Sequence, residues 1–345
     1  MSVLDGPRGE LRRVVFGGRV HACRLEGEVL VLDDGRVIAE SRAVYAAPVE
    51  PRTILCVHLN YRSRAVELGR ELDNEHPTYF MKPASAINAH RGELVRSSDC
   101  QLMNYEGEIA AVVSRPMRRV RPQDVWDHLA GFTCANDVGA HDFRDTDAGS
   151  MLRVKGQDGF CPLGPALVSG IDIRSSTLRT YVNGRKVQEA PVSEMVWGID
   201  DLLADLSRYL TLQPGDVVLT GTPWHSRPIF PDDRVEVEVD GIGRLSNVVV
   251  VGPAPESFRG FPATVTKVSM GVALGSDFHL LKQDKTPPTP EQYRNARAEL
   301  IAFELAAVQA PAVHDAAQLP ARSAQHAHGK LSTRPPVTEN AMVNT

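Results

Sequence analysis

The chain has no C-x-x-C pair, no excess of basic residues and no long apolar run. Each absence removes a class of function. Its five cysteines, Cys23, Cys56, Cys100, Cys134 and Cys161, are odd in number, widely spaced and mostly within apolar segments. That arrangement fits neither a disulfide framework nor a thiolate zinc site, and it favours buried thiols in a reducing compartment. With 38 basic against 43 acidic residues the net charge is -5, so no polycationic face is available for nucleic acid. No segment approaches the roughly 18 to 20 apolar residues that span a bilayer. The opening MSVLDGPRGELRRVVF lacks the apolar stretch of a signal peptide. The expectation is a cytoplasmic protein with no membrane partner.

What is present is the composition of a soluble globular protein: 345 residues, 42% hydrophobic and 23% charged, enough for a sizeable core. Residues 1–50 read as a small N-terminal β module, because alternating segments such as VHACRL and EVLVL are punctuated by Gly17-Gly18, Glu26-Gly27 and Asp34-Gly35. Pro48 and Pro51 mark a linker into a larger domain over residues 53–254. There, β runs (TILCVHL, EIAAVV, LRTYVNG, DVVLTG and RVEVEVDGIGRLSNVVVV) outnumber helices and do not alternate with them. The fold class expected is therefore mainly β, mixed α+β, rather than a doubly wound sheet. Two helices are expected. One starts at Pro122, turns Val125, Trp126 and Leu129 inward and stops at Gly131. The other is capped by Asp200, with Ile199, Leu202, Leu203, Leu206 and Leu210 as its apolar stripe. Residues 255–310 read as an extension carrying a helix at 289–309, with Thr289 and Gln292 as a capping box around Pro290. Residues 311–345, rich in Ala, Gln, His, Ser and Pro, read as a disordered tail, and His314, His326 and His328 as part of it.

Chemistry concentrates in NYEGEIAAVV. On a strand, residues i and i+2 share a face, so Glu106 and Glu108 emerge together with Cβ atoms roughly 6 to 7 Å apart. Two carboxylates entering a core repel each other unless a cation lies between them, and a hard divalent cation takes such oxygen ligands. The spacing alone fits equally an edge strand with both glutamates in water. Asp137, ending the apolar run of GFTCANDVGAHDF, is a candidate third ligand, although by itself it serves as well to cap a turn. His58, His90 and His141 are possible ligands too, but they form no H-x-x-x-H or H-x-H pair, so Mg²⁺ or Mn²⁺ is favoured over zinc. Lys155, in RVKGQDGF, can neutralise a developing enolate, and fits equally a solvated loop charge. The segment LQPGDVVLTGTP ends a strand in Thr220-Gly221-Thr222-Pro223, which by itself reads as an ordinary strand-to-loop exit and in company with these groups as a cradle for a substrate carboxylate.

LNYRSR with Glu67, YFMKP, YEGE, the AND motif with Asp142, LRVKGQDGFCPLGP, VNG, PGDVVLTGTP and GIGRL occur in this order. Over about residues 53 to 252 this set resembles the fumarylacetoacetate hydrolase superfamily. The resemblance implies a β-sandwich roll, often preceded by a small N-terminal β domain and often homodimeric. It places metal ligands at Glu106, Glu108 and Asp137 and the active-site lysine at Lys155. Substrate-binding positions fall on Gly221, Thr222 and Pro223, and on Asn60 and Tyr61.

The chain departs from the hydrolases of that family in two places. Where they carry L-N-Y-x-x-H-A-x-E, it has Arg64 in place of the histidine while Glu67 remains, and an arginine stays protonated and cannot serve as a base. After Asp137, where the usual run is Arg-Asp then Gln, it has His141-Asp142-Phe143-Arg144. With LRVK-x-x-DG-x-x-P, these features resemble the branch that isomerises 5-carboxymethyl-2-hydroxymuconate or decarboxylates 5-oxopent-3-ene-1,2,5-tricarboxylate. The expected function is thus a metal-dependent isomerase or decarboxylase working through an enolate on a 2-oxo or 2-hydroxydienoate acid of aromatic catabolism. Glu67 or His141 is expected to shuttle the proton, and Arg64 or Arg144 to hold an extra carboxylate. An acylpyruvate-type C–C hydrolase and a catalytically silent oxo-acid-binding member are the alternatives.

Overall fold

The computed structural model describes residues 3–253 apart from 5, 6, 71–75, 99, 145, 146 and 148. The extension, the helix at 289–309 and the tail lie outside the described residues.

The chain opens with a meander. Strands β1 (Gly9–Phe16) and β2 (Arg19–Glu26) form a hairpin closed by Gly17 and Gly18, whose φ of 58° and 74° are the left-handed values such a two-residue turn needs. β3 (Val29–Leu32) and β4 (Val37–Ala39) continue the order, and β5 (Val44–Ala46) returns to pair with β1. Val14, Cys23, Leu30, Leu32 and Tyr45 bury the inner face as a cluster of their own.

The body follows from β6 (Ile54–Val57), helix α1 (Arg62–Glu67), β7 (Tyr79–Lys82), β8 (Ile87–Ala89), β9 (Glu93–Ser97) and β10 (Met103–Asn104). Next come β11 (Gly107–Val113), β12 (Leu129–Asn136), β13 (Gly139–Ala140), the one-turn helix α2 (Leu152–Lys155) and β14 (Cys161–Ser169). β15 (Thr177–Val182), β16 (Arg185–Pro191), helix α3 (Ile199–Tyr209), β17 (Val217–Leu219), β18 (Arg234–Val239) and β19 (Gly243–Gly252) complete it. Among the described residues the strands form a twelve-stranded sheet, a five-stranded sheet in the order β16-β15-β18-β19-β9, and the ribbon β10-β13. The first residues of β1 pair with β14, so the meander and the body share the large sheet.

The architecture is mainly β with few helices, as the patterning predicts. β11 is buried at every position because it lies in the middle of the large sheet with the second sheet across one face. Ile109, Ala111, Phe132 and Val168 meet Leu178, Val237 and Leu245 in one continuous core. The five cysteines are buried and unpaired. Burial raises every thiol pKa, which suits their inert reading. Among the described residues no helix is long and apolar enough to cross a membrane.

Two helix expectations change. The segment opened by Pro122 is a 3-10 turn over Pro122–His128 with Val125 and Trp126 buried, and Leu129 already belongs to β12. Pairing with β11, where Leu129 faces Val113, captures the residues that the helix would have needed. In α3 the cap is Gly198 rather than Asp200, and Asp201 accepts the Gly198 N–H at 3.2 Å. Leu202, Leu203 and Leu206 turn inward as expected, while Leu210 lies beyond the last turn and is exposed.

Candidate functional site

Antiparallel pairing of β11 with β12 sets Gly107 opposite Asn136, so the residues at the ends of the two strands meet. The Asp137 N–H donates to the Glu106 carbonyl at 2.8 Å, and the Glu106 N–H donates to Asn136 Oδ1 at 2.9 Å. Carboxylate oxygens of Glu106, Glu108 and Asp137 consequently lie within 4.8 Å of one another, all buried. Glu108 also accepts the Gly221 N–H at 2.7 Å, which fixes the start of the Gly-Thr-Pro segment against the strand.

Two ammonium groups enter this cluster. Lys155, at the end of α2, lies 2.6 Å from Glu106 Oε2 and 2.8 Å from Asp137 Oδ2. Lys82, at the end of β7, pairs with the other Asp137 oxygen and donates to the Val138 carbonyl at 3.1 Å. Burial works against the charge on Lys155, but Asp137 and Glu106 outweigh it and raise its pKa. Burial likewise pushes Glu106 upward, but Lys155 and then Arg64 bring it down to about 2. Glu108 goes the other way: burial first, then Asp137 and Glu106, lift its pKa well above the usual range. The donor set therefore fits a hard divalent cation. It is all oxygen, three carboxylates face two ammonium groups, and among the described residues Glu108 has no ion-pair partner of its own.

A cavity opens onto Glu106, Glu108 and Lys155, walled also by His58, Phe80, Arg64, Arg70, His141, Arg144 and Thr222. Arg64 is held by Glu67, three residues on in α1. Glu67 is itself held from the far side by Arg227 at 2.6 Å and by the His225 N–H. Burial alone would raise Glu67, but Arg64 and Arg227 keep its pKa below the usual range. His141 lies with Nε2 3.7 Å from Glu106, and burial, followed by Lys155 and Arg144, drives its pKa well below that of a free imidazole. Arg144 Nη1 is 3.2 Å from His141 Nδ1. A guanidinium only donates, so Nδ1 accepts and the ring proton sits on Nε2. That Nε2 has no hydrogen-bond partner among the described residues.

The structure brings Glu106, Glu108, Asp137, Lys155, His141, Arg64, Arg144 and Thr222 to one place, with Gly221 bonded to Glu108 behind it. Asn60 and Tyr61 are not among the groups lining the cavity. The Asn60 amide donates to the Thr220 and Trp197 carbonyls and accepts the Trp197 N–H, so it ties loops together. Tyr61 packs in the main core beside Ile109 and Leu55. Asp142 accepts the N–H groups of Gln101 and Leu102 and shapes that turn. His90 lies elsewhere, edge-on to Tyr45. The sequence marks Lys82 only as part of the block YFMKP, with no sign that it meets a carboxylate. It gives no sign of Gly139 either, where a Cβ would stand 3.0 Å from His141 Nε2 and 3.2 Å from Lys155 Cε.

The family described as fumarylacetoacetate (FAA) hydrolase C-terminal matches residues 53–250. The chain belongs to this family. It is 36% identical over 242 residues to an uncharacterised protein of Archaeoglobus fulgidus, covering 70% of this chain and 96% of that one. It is 35% identical over 201 residues to a 4-hydroxyphenylacetate degradation bifunctional isomerase/decarboxylase of Salmonella dublin, covering 57% of this chain. That match spans 47% of the relative, about half its length. An oxaloacetate tautomerase of Bacillus subtilis is 34% identical over 215 residues, covering 59% of this chain and 71% of that one. Among solved structures, 5-carboxymethyl-2-hydroxymuconate delta-isomerase of Mycobacterium smegmatis superposes with a TM-score of 0.65 at 35% identity, covering 71% of this chain and 99% of that one. The family and the branch expected from the motifs are thus both found, and the isomerase/decarboxylase, the tautomerase and the delta-isomerase among these relatives are named as enzymes.

Proposed function

We propose that this protein holds Mg²⁺ or Mn²⁺ through Glu106, Glu108 and Asp137 and isomerises or decarboxylates a 2-oxo or 2-hydroxydienoate acid bearing a further carboxylate. One observation carries the reading: an all-oxygen carboxylate cluster and the cations Lys155, Arg64 and Arg144 converge on a single cavity. A bound divalent cation would supply Lewis acidity at the oxo-acid end of the substrate. Lys155 adds a fixed, buried positive charge where an enolate develops, held in place by Glu106 and Asp137. The Nε2–H of His141 is a neutral donor facing the same space, suited to the substrate oxygen rather than to proton abstraction.

Both reactions need a proton moved at carbon. Isomerisation removes one and returns it elsewhere, and decarboxylation adds one after carbon dioxide leaves. Glu67, bound to two guanidinium groups, is committed to holding Arg64 and Arg227 in this reading. His58 is the second neutral imidazole on the cavity wall, with its pKa lowered by burial and then by Arg144, and it takes the role of proton carrier. Arg64, Arg70 and Arg144 line the same cavity and are the guanidinium groups that would hold the additional carboxylate. The names of the relatives point to aromatic catabolism and to oxo-acid tautomerism. The homodimer expected from the resemblance is part of the proposal.

Product analysis on a panel of oxo acids tests it. Isomerisation leaves the mass unchanged, decarboxylation releases carbon dioxide, and hydrolysis gives two acids. Two acids as the only products would return the protein to the hydrolases.

A further inference from the structure

Gln188, on β16 of the second sheet, is buried at 2% exposure and reaches between the two segments that build the site. Its Oε1 lies 3.2 Å from the N–H of Gly107, the residue between the two glutamates. Its Nε2 lies 3.0 Å from the Pro223 carbonyl, 2.9 Å from the Trp224 carbonyl and 3.0 Å from Thr222 Oγ1. The orientation of the amide follows from its partners. A backbone N–H can only donate and backbone carbonyls can only accept, so oxygen must face Gly107 and nitrogen must face Pro223 and Trp224.

An amide nitrogen cannot accept, and its two N–H groups are shared among these three oxygens, so on this side Thr222 Oγ1 can only accept. Its own proton is left to donate elsewhere, and among the described residues no acceptor for it is found. Thr222 lines the cavity. We propose that Gln188 is a positioning residue that turns the Thr222 hydroxyl proton away from itself and toward the carboxylate of the bound oxo acid, an inference that rests on the reading of the site given above. Gly107 is what permits it. A Cβ there would stand 2.0 Å from Thr180 Oγ1 on β15 and in contact with Gln188 Oε1 at 3.4 Å, so a side chain would push β15 away from the strand. The glycine of Glu-Gly-Glu lets the second sheet come close enough to set the substrate end of the site.

Calorimetry on the full chain separates this role from a merely structural one. Mg²⁺ is titrated alone, then oxalate at saturating Mg²⁺, into wild type, Gln188→Leu, Thr222→Val, Thr222→Ser and the double variant Gln188→Leu/Thr222→Val. Gln188→Leu and Thr222→Val are each expected to weaken oxalate about tenfold, as loss of one hydrogen bond to a charged group does. Mg²⁺ affinity should stay within about threefold, because no carboxylate is touched. Thr222→Ser should bind as wild type, and the double variant should be no weaker than either single, since the two act as one unit. Gln188→Met, similar in length and volume, replaces the leucine variant should that one not fold. Additive losses in the double variant, or wild-type oxalate binding in Gln188→Leu, would overturn the role of Gln188. If wild type with Mg²⁺ bound takes up no oxalate, the reading of the site fails first and the inference with it.

Discussion

Arg64 and Glu67 form a buried ion pair across one turn of α1, with side chains 8% and 11% exposed. The pair faces the cavity through the guanidinium, not through the carboxylate. Where related hydrolases place a histidine, this chain thus presents a fixed positive charge, and the neighbouring glutamate is spent on fixing it. Replacing Arg64 by alanine is expected to raise the KM for a 2-oxo diacid such as oxaloacetate about 10- to 100-fold and to leave the inhibition constant of pyruvate, a competitor that lacks the second carboxylate, nearly unaffected. Steady-state kinetics on oxaloacetate, with and without pyruvate, check this. Equal losses for both would mean that Arg64 supports the fold rather than the second carboxylate.

Glu108 is expected to behave oppositely in the presence and absence of metal. Burial, then Asp137 and Glu106, raise its pKa in the folded protein, so its contribution to metal-free stability is full below the unfolded value and is lost as pH rises above it. Glu108→Gln should remove that loss, leaving the metal-free variant at least as stable as wild type at pH 7. It should also reduce Mg²⁺ affinity by at least about 100-fold, since one of three anionic ligands is gone. Thermal unfolding with chelator and with Mg²⁺ reads both effects. A variant less stable than wild type in chelator that still gains stability from Mg²⁺ would contradict the assignment.

How much of this was legible in the sequence depends on how far each residue's partners lie along the chain. Glu106 and Glu108 could be read because strand geometry puts i and i+2 on one face, and Asp137 because it ends the strand that pairs with theirs. Lys82 could not: a lone lysine after an apolar strand looks like a charge leaving for solvent, and only the fold brings it to Asp137, 55 residues later. Asn60 and Tyr61 were legible as a motif but not in orientation, since one short turn sends both away from the cavity while Arg64 turns toward it. The Pro122 segment shows the limit of local propensity, because strand pairing by β12 decided where that helix stopped.

Away from the site, His90 carries a pH dependence of its own. Its Nδ1 accepts the Ser246 N–H at 3.0 Å, a bond that protonation of Nδ1 would break. Burial, then Arg91 and Arg12, hold its pKa at about 4 against 6.5 for the free side chain. The folded state thus refuses a proton that the unfolded chain accepts, so stability is full above about pH 6.5 and falls as pH drops toward 4. Between pH 7 and pH 5 this one group should account for a loss of about 2 kcal/mol. His90→Gln, which keeps an acceptor for Ser246, should show a correspondingly smaller loss in denaturant unfolding over that interval. An identical pH slope in the variant would remove His90 from the account.

Proton exchange at carbon tests the central claim most directly. A panel of 2-oxo diacids is incubated in D₂O with the enzyme and Mg²⁺, and the C3 protons are followed by ¹H NMR against an enzyme-free control. The enolate chemistry proposed for Glu106, Glu108, Asp137 and Lys155 predicts loss of the C3–H signal well above the control rate for at least one diacid. It also predicts that the acceleration disappears with excess chelator and in Glu108→Gln. Acceleration that persists undiminished in chelator and in Glu108→Gln would contradict it.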